Sequence, residues 1–297
     1  MLDCNTSSSM NNNKHEPPSE RRVSFEPVHW ISQQELFATQ PSAPRMYPVG
    51  GGDDAIRSAL RVAGEINRAG AAALAAGSIL KASECFRSAL EHLEFLHVNL
   101  QQLYFEEQGG SRMAMATNIA SVRAPLDVDE VDVIGCHDDY LYVYRKAFNF
   151  LPDVLERNRP PEDFQFQITF YSAMVAFNLA LCLHQRGMGA PSLNKDCMVY
   201  AVHFYDVCIS KINLMSVLDL PDKGMMLMLA VWNNQAHICN QMESYEAAIE
   251  IWEGVRQLSA NMVYERQTTL NAADYAHIFE LILNVAVVRV PTIAPCA

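Results

Sequence analysis

The sequence holds eight cysteines (Cys4, Cys85, Cys136, Cys182, Cys197, Cys208, Cys239 and Cys296) but no Cys-x-x-Cys pair. Zinc ribbons and thiol redox centres require such pairs, so these thiols are expected to be reduced, small core residues. Positive charge is scarce: 22 Lys and Arg stand against 34 Asp and Glu, giving a net charge of −12 and a pI near 5.2. Nucleic acid is a poor partner for such a chain, because neutralising phosphates needs clustered cations.

Several other signals are missing. No window reaches the roughly 18 to 20 uninterrupted apolar residues of a membrane span, and the opening residues lack the apolar stretch of a secretory signal. The expectation is an intracellular protein, cytoplasmic or nuclear, that does not engage a membrane. There is no GxGxxG, P-loop, GxSxG or HExxH, and the nine histidines are scattered. The compact cluster Cys136-His137-Asp138-Asp139 has no second group at metal spacing and reads as a polar turn. The chain is therefore expected not to be an enzyme, and to bind no metal or cofactor.

What is present is a globular composition, 50% hydrophobic and 19% charged. Residues 1–52 are rich in Ser, Asn, Pro and Gly, end in Tyr47-Pro48-Val49-Gly50-Gly51-Gly52, and read as a disordered tail. From Asp53 the pattern turns helical. Ile56, Leu60, Ala63, Ile66, Ala69, Gly70 and Ala73 form one stripe; after Gly77-Ser78, a second helix aligns Ile79, Ala82, Phe86, Ala89, Leu93, Leu96, Leu100 and Leu103. Residues 111–166 read as an insertion. Its acidic run Asp127, Asp129, Glu130 and Asp132 leads into Val131, Val133 and Ile134, a turn is expected at 135–139, and the aromatic, β-branched run Tyr140 to Phe148 favours a strand. A small β-hairpin between helices follows from these signals.

Beyond Pro160-Pro161 come four further amphipathic or apolar stretches: Phe164 to Arg186, about Lys195 to Met215, Asp222 to Gln241 and Ser244 to Ala260. A final helix at about Ala272 to Val288 is apolar enough to cover the open end of a stack, with a short tail at 291–297. The domain is thus read as 53–290.

Two of these helix pairs share a pattern. Trp232, Ala236 and Cys239 are followed by Tyr245, Ala248, Trp252 and Val255; Ile66, Gly70 and Ala73 are followed by Ala82, Phe86 and Ala89, with the same separation of Gly70 from Ala82 as of Ala236 from Ala248. The pattern resembles the tetratricopeptide (TPR) repeat. A middle unit is similar through Asn178, Ala180, Leu183, Ala201, Tyr205 and Cys208, with a longer loop at 187–194, and its helix Phe177 to Gly187 is similar to that of unassigned TPR-like proteins of algal genomes. The resemblance implies a mostly α fold of antiparallel helix pairs stacked as a short TPR-like α-solenoid.

It also implies a place for partners. First-helix positions of TPR units line a groove that holds an extended peptide, and the candidates here are Asn178, His184, Gln185, Asn233, Asn234, His237, Asn240 and Gln241. Uncharged amides suit that role because they pair with peptide N–H and C=O groups; a solvated helix face offers the same polar stripe. A chaperone-type carboxylate clamp is not expected, since the positions that carry its cations read Met174 and Ala230. The expected function is a protein–protein interaction adaptor or scaffold with a protein or peptide partner. The alternative is a regulatory subunit of protein phosphatase 1, because Arg22-Val23-Ser24-Phe25 in the tail resembles its RVxF docking peptide, with Ser24 a phosphorylation candidate that would oppose docking.

Overall fold

The computed structural model describes residues 53–107, 128–132, 143–150, 161–189, 194–215, 222–265 and 272–289. Among them are seven helices and two strands: α1 (Asp53–Ala75), α2 (Ile79–Glu107), β1 (Val128–Asp132), β2 (Lys146–Phe150), α3 (Pro161–Met188), α4 (Lys195–Asn213), α5 (Asp222–Gln241), α6 (Tyr245–Glu265) and α7 (Ala272–Arg289). The protein is mostly helical. Each helix packs against the next in the chain, and α1, α3, α5 and α7 also touch in succession, so the odd-numbered helices share a face.

Local chemistry sets the helix ends. Pro161 opens α3 at the first helical position, where its missing N–H costs nothing. Asn194 caps α4 by accepting the Cys197 N–H at 3.1 Å. The turn from α1 to α2 places Gly77 at φ 76°, with Ser78 N donating to Ala73 O at 2.8 Å and Gly77 N to Leu74 O at 2.9 Å. Those are the two bonds of a left-handed helix C-terminus, and glycine adopts that conformation freely.

The turn from α5 to α6 repeats the geometry. Ser244 N donates to Cys239 O at 2.8 Å and Glu243 N to Asn240 O at 3.1 Å, with Glu243 at φ 63° where the first turn has glycine. So short a connection reverses the chain and lays the second helix of each pair back along the first. The close approach of α1 and α2 needs a small residue, since a Cβ on Gly70 would lie 2.7 Å from the Phe86 ring; between α5 and α6 a Cβ on Gly254 would meet Trp232 at an ordinary contact distance, 3.5 Å.

Helix α3 is the centre of the core. Between Phe164 and Cys182 every residue but Gln165 is buried, which is why it is apolar on all sides. By length and composition Phe164–Met188 could cross a membrane, even though Gln167, Asn178 and other polar residues interrupt the apolar run; most of its residues lie inside the protein, covered by the neighbouring helices, with Arg186 exposed near its end. On α1 the stripe is rotated from the one expected: Leu60, Ala63, Gly70 and Ala73 are buried, but Ala69 is exposed and Asn67 takes the inward position. On α2, Ala82, Phe86, Ala89, Leu93, Leu96 and Leu100 all face the core, while the Leu103 side chain is outside the described residues.

The two described strands pair as a small antiparallel ladder. β1 is Val128–Asp132, which takes in most of the acidic run together with Val131, while Val133 and Ile134 lie outside the described residues; Val128 stands opposite Phe150 of β2 and Asp132 opposite Lys146. Charged residues suit a strand that is paired on one side. β2 begins at Lys146 and runs to Phe150, two residues beyond the expected end, with Val143 to Arg145 leading in; the turn expected at 135–139 lies outside the described residues. β2 lies against α1 and α3.

Candidate functional site

The shared face of the odd-numbered helices holds one extended run of the chain, Val143 to Phe150, and holds it by its backbone. Asn234 on α5 accepts the Tyr144 N–H through Oδ1 at 2.9 Å and returns Nδ2 to the Tyr144 carbonyl at 2.9 Å. Four residues on, Asn178 on α3 repeats the pairing: Phe148 N donates to its Oδ1 at 2.8 Å, and its Nδ2 donates to Phe148 O at 2.8 Å. Asn67 on α1 adds a donor to Phe148 O at 3.0 Å and accepts from Asn178 Nδ2 at 3.0 Å. A second bond runs from Asn67 to the Asn149 side chain at 3.3 Å.

The strand geometry explains the spacing. In an antiparallel pair, backbone groups of alternate residues point to opposite edges, so the Phe148 groups turned toward Asn178 face away from β1. One edge of the run pairs with β1 and the other with side-chain amides, which mimic a neighbouring strand because an amide carries the same donor and acceptor as a peptide. Every polar group of this buried backbone edge at Tyr144 and Phe148 is thereby satisfied.

The side chains of the run anchor it by aromatic contact. Tyr144 and Phe148 stack at 5.7 Å between centroids, and Phe177 of α3 meets both edge-on, at 6.1 and 5.2 Å. Phe150 stacks on Tyr171 at 4.1 Å, and Tyr144 meets His277 of α7 at 5.9 Å. Tyr144, Phe148 and Phe150 are fully buried.

A polar network continues inward from Asn234. Its Nδ2 also donates to the Tyr205 hydroxyl at 3.0 Å, that hydroxyl lies 3.3 Å from His184 Nδ1, and His184 Nε2 lies 3.1 Å from His237 Nδ1. Burial, with His237 and Arg145 adding to it, pushes the His184 pKa well below its ordinary value, and burial raises that of Tyr205. Both groups are neutral, so completing the network has Tyr205 donate to His184 Nδ1 and His184 Nε2–H donate to His237. On the other side Asn233 donates to Asn234 at 3.3 Å and accepts from Trp252 Nε1 at 3.3 Å and from Asn284 Nδ2 at 2.6 Å.

Of the candidates named from sequence, Asn178 and Asn234 grip the extended run, while Asn233, His184 and His237 are fully buried behind it. Gln185 is buried too, with its Nε2 unpartnered, and Asn240 and Gln241 are half-buried in the last turn of α5. Met174 and Ala230, in place of clamp cations, are buried apolar contacts. Arg22, Val23, Ser24 and Phe25 lie outside the described residues. Among the described residues, no three His, Cys, Asp or Glu side chains are grouped to hold a metal ion.

Sequence reasoning missed Asn67, Tyr205, Asn284 and the run Val143 to Phe150 as parts of one site. Asn67 had a signal: it follows Ala63 by four residues and precedes Gly70 by three, on the apolar stripe itself. No known protein family, curated protein or solved structure matches the chain.

Proposed function

We propose that this chain is a TPR-like helical-repeat adaptor or scaffold, an interaction module and not an enzyme, whose odd-numbered helices hold an extended polypeptide. The observation that carries this reading is the pair of two-point amide contacts, Asn234 to Tyr144 and Asn178 to Phe148, from successive odd-numbered helices to one extended backbone. Amides placed this way bind main chain, which is how grooves take peptides of varied sequence. The matching turns of α1–α2 and α5–α6, and the tight seat of Gly70 against Phe86 in the first pair, support the repeat part of the reading. The network behind the site is neutral and buried, with no exposed nucleophile or acid–base pair in it, which favours binding over catalysis.

The test is crosslinking with mass spectrometry on the full chain recovered from its source cells. Reproducible crosslinks to other proteins are expected on α1, α3, α5, α7 or the run Val143 to Phe150. Crosslinks confined to α2, α4 and α6 would reject this face as the binding surface, and a chain with no crosslinked partner would reject the adaptor reading.

A further inference from the structure

We infer that Val143 to Phe150 is a resident peptide ligand, and that the face it covers recognises in trans an extended peptide with aromatic residues spaced as Tyr144, Phe148 and Phe150 are. The inference rests on the reading of this face as polypeptide-binding, and it names the class of ligand and the regulation of that face. Within the run, the amides of Asn178 and Asn234 bond only to backbone, so they accept any extended residue with an N–H. Selectivity then lies in the three aromatic anchors, seated against Phe177, His277 and Tyr171.

The resident run is not the best occupant of this face. Arg145, between the anchors, has its Nε buried without a hydrogen-bond partner, and its charge lies close enough to His184 to help hold that ring neutral. A buried donor left unpaired is a penalty for whichever peptide brings it. A trans peptide with the same aromatics and a small neutral residue in place of Arg145 escapes that penalty. It must still displace a tethered competitor, whose effective concentration is about millimolar for a short connection. The wild-type chain is therefore a closed state that opens only to a better ligand.

Two labelled synthetic peptides test this, one with the sequence of residues 143–150 and one in which the residue matching Arg145 is Ala. Each is titrated by fluorescence anisotropy into the full-length chain, wild type and Phe148→Ala, the latter weakening the resident run. The variant is expected to bind the first peptide at least about tenfold more tightly than wild type, and the second peptide about fivefold or more tighter again. A peptide lacking the aromatic at the Phe148 position should not bind.

If the variant fails to fold by circular dichroism, protease sites placed in 133–142 and in 151–160 of the wild-type chain allow the run to be cut free, and label entering the protein peak on gel filtration reports exchange. A folded variant, or a doubly cut chain, that takes up neither peptide would overturn the inference and make the run a permanent part of the core. In that case crosslinked partners on this face would leave the adaptor reading standing. Exchange without any cellular partner would support the ligand class and sink the adaptor.

Discussion

Asn178→Asp changes one NH2 group into an oxygen, and the surroundings of Asn178 make that small change pH-dependent. In the wild type Oδ1 accepts from Phe148 N, while Nδ2 donates to both Phe148 O and Asn67 Oδ1. An ionised carboxylate keeps the first bond but aims an acceptor at two acceptors, in a fully buried position. The protonated acid restores one donor. The folded state therefore favours the neutral form, and the pKa of the introduced carboxyl rises above its unfolded value of about 3.9, by about 3 units at such burial.

The sign follows from proton counting. Between about pH 4 and pH 7 the folded variant binds more protons than the unfolded one, so its stability falls as pH rises, by about 1.4 kcal/mol per unit. Relative to the wild type, the penalty from ionisation grows from about 1.5 kcal/mol at pH 5 to about 4 kcal/mol at pH 8. The latter is a large part of a typical stability of about 5–15 kcal/mol. Urea unfolding followed by far-UV circular dichroism at both pH values measures it.

The wild type must be subtracted at each pH, because His184, with its depressed pKa, contributes stability that is present above about pH 6.5 and lost as pH falls below it. Asn240→Asp, in the half-buried last turn of α5, serves as the control. A variant–wild-type difference at Asn178 that changes by less than about 0.5 kcal/mol between the two pH values would refute the amide contact as the source of order in this segment.

Two further outcomes are expected. Glu243→Gly relieves a left-handed conformation that costs a non-glycine residue about 1 kcal/mol, so it should raise the melting temperature by about 2–4 °C, whereas a fall would mean that the Glu243 side chain makes a compensating contact. In the tail, Val23→Ala with Phe25→Ala should abolish co-purification of protein phosphatase 1; a wild-type chain that binds no phosphatase removes that alternative.

Most helices were legible because they are long and carry an apolar stripe, α3 because it is a long, almost wholly apolar stretch, and glycine marks the first turn at Gly77. The second turn was harder to read, since Glu243 occupies a conformation that sequence assigns to glycine. The start of β1 was not legible, because Asp129 and Glu130 have low strand propensity and only their pairing with β2, across the chain, places them in a strand. The polar stripe on α3 and α5 was visible, and so was the suitability of its amides for main chain. Its occupant was not, because Asn178 meets Phe148 across 30 residues and Asn67 meets it across 81, and no local periodicity encodes such a meeting.

The burial of α3 on every side has a consequence for how the protein is made. When the ribosome has synthesised α3 but not α4 and α5, a helix long and apolar enough to be mistaken for a membrane segment still lacks two of the described helices that pack on it. The run Val143 to Phe150 is in the same position, since the Asn234 that grips Tyr144 is synthesised 90 residues later. The N-terminal half is therefore expected to stay incompletely packed until α5 emerges, unlike the units of an independent repeat array, with apolar surface open to chaperones in the meantime.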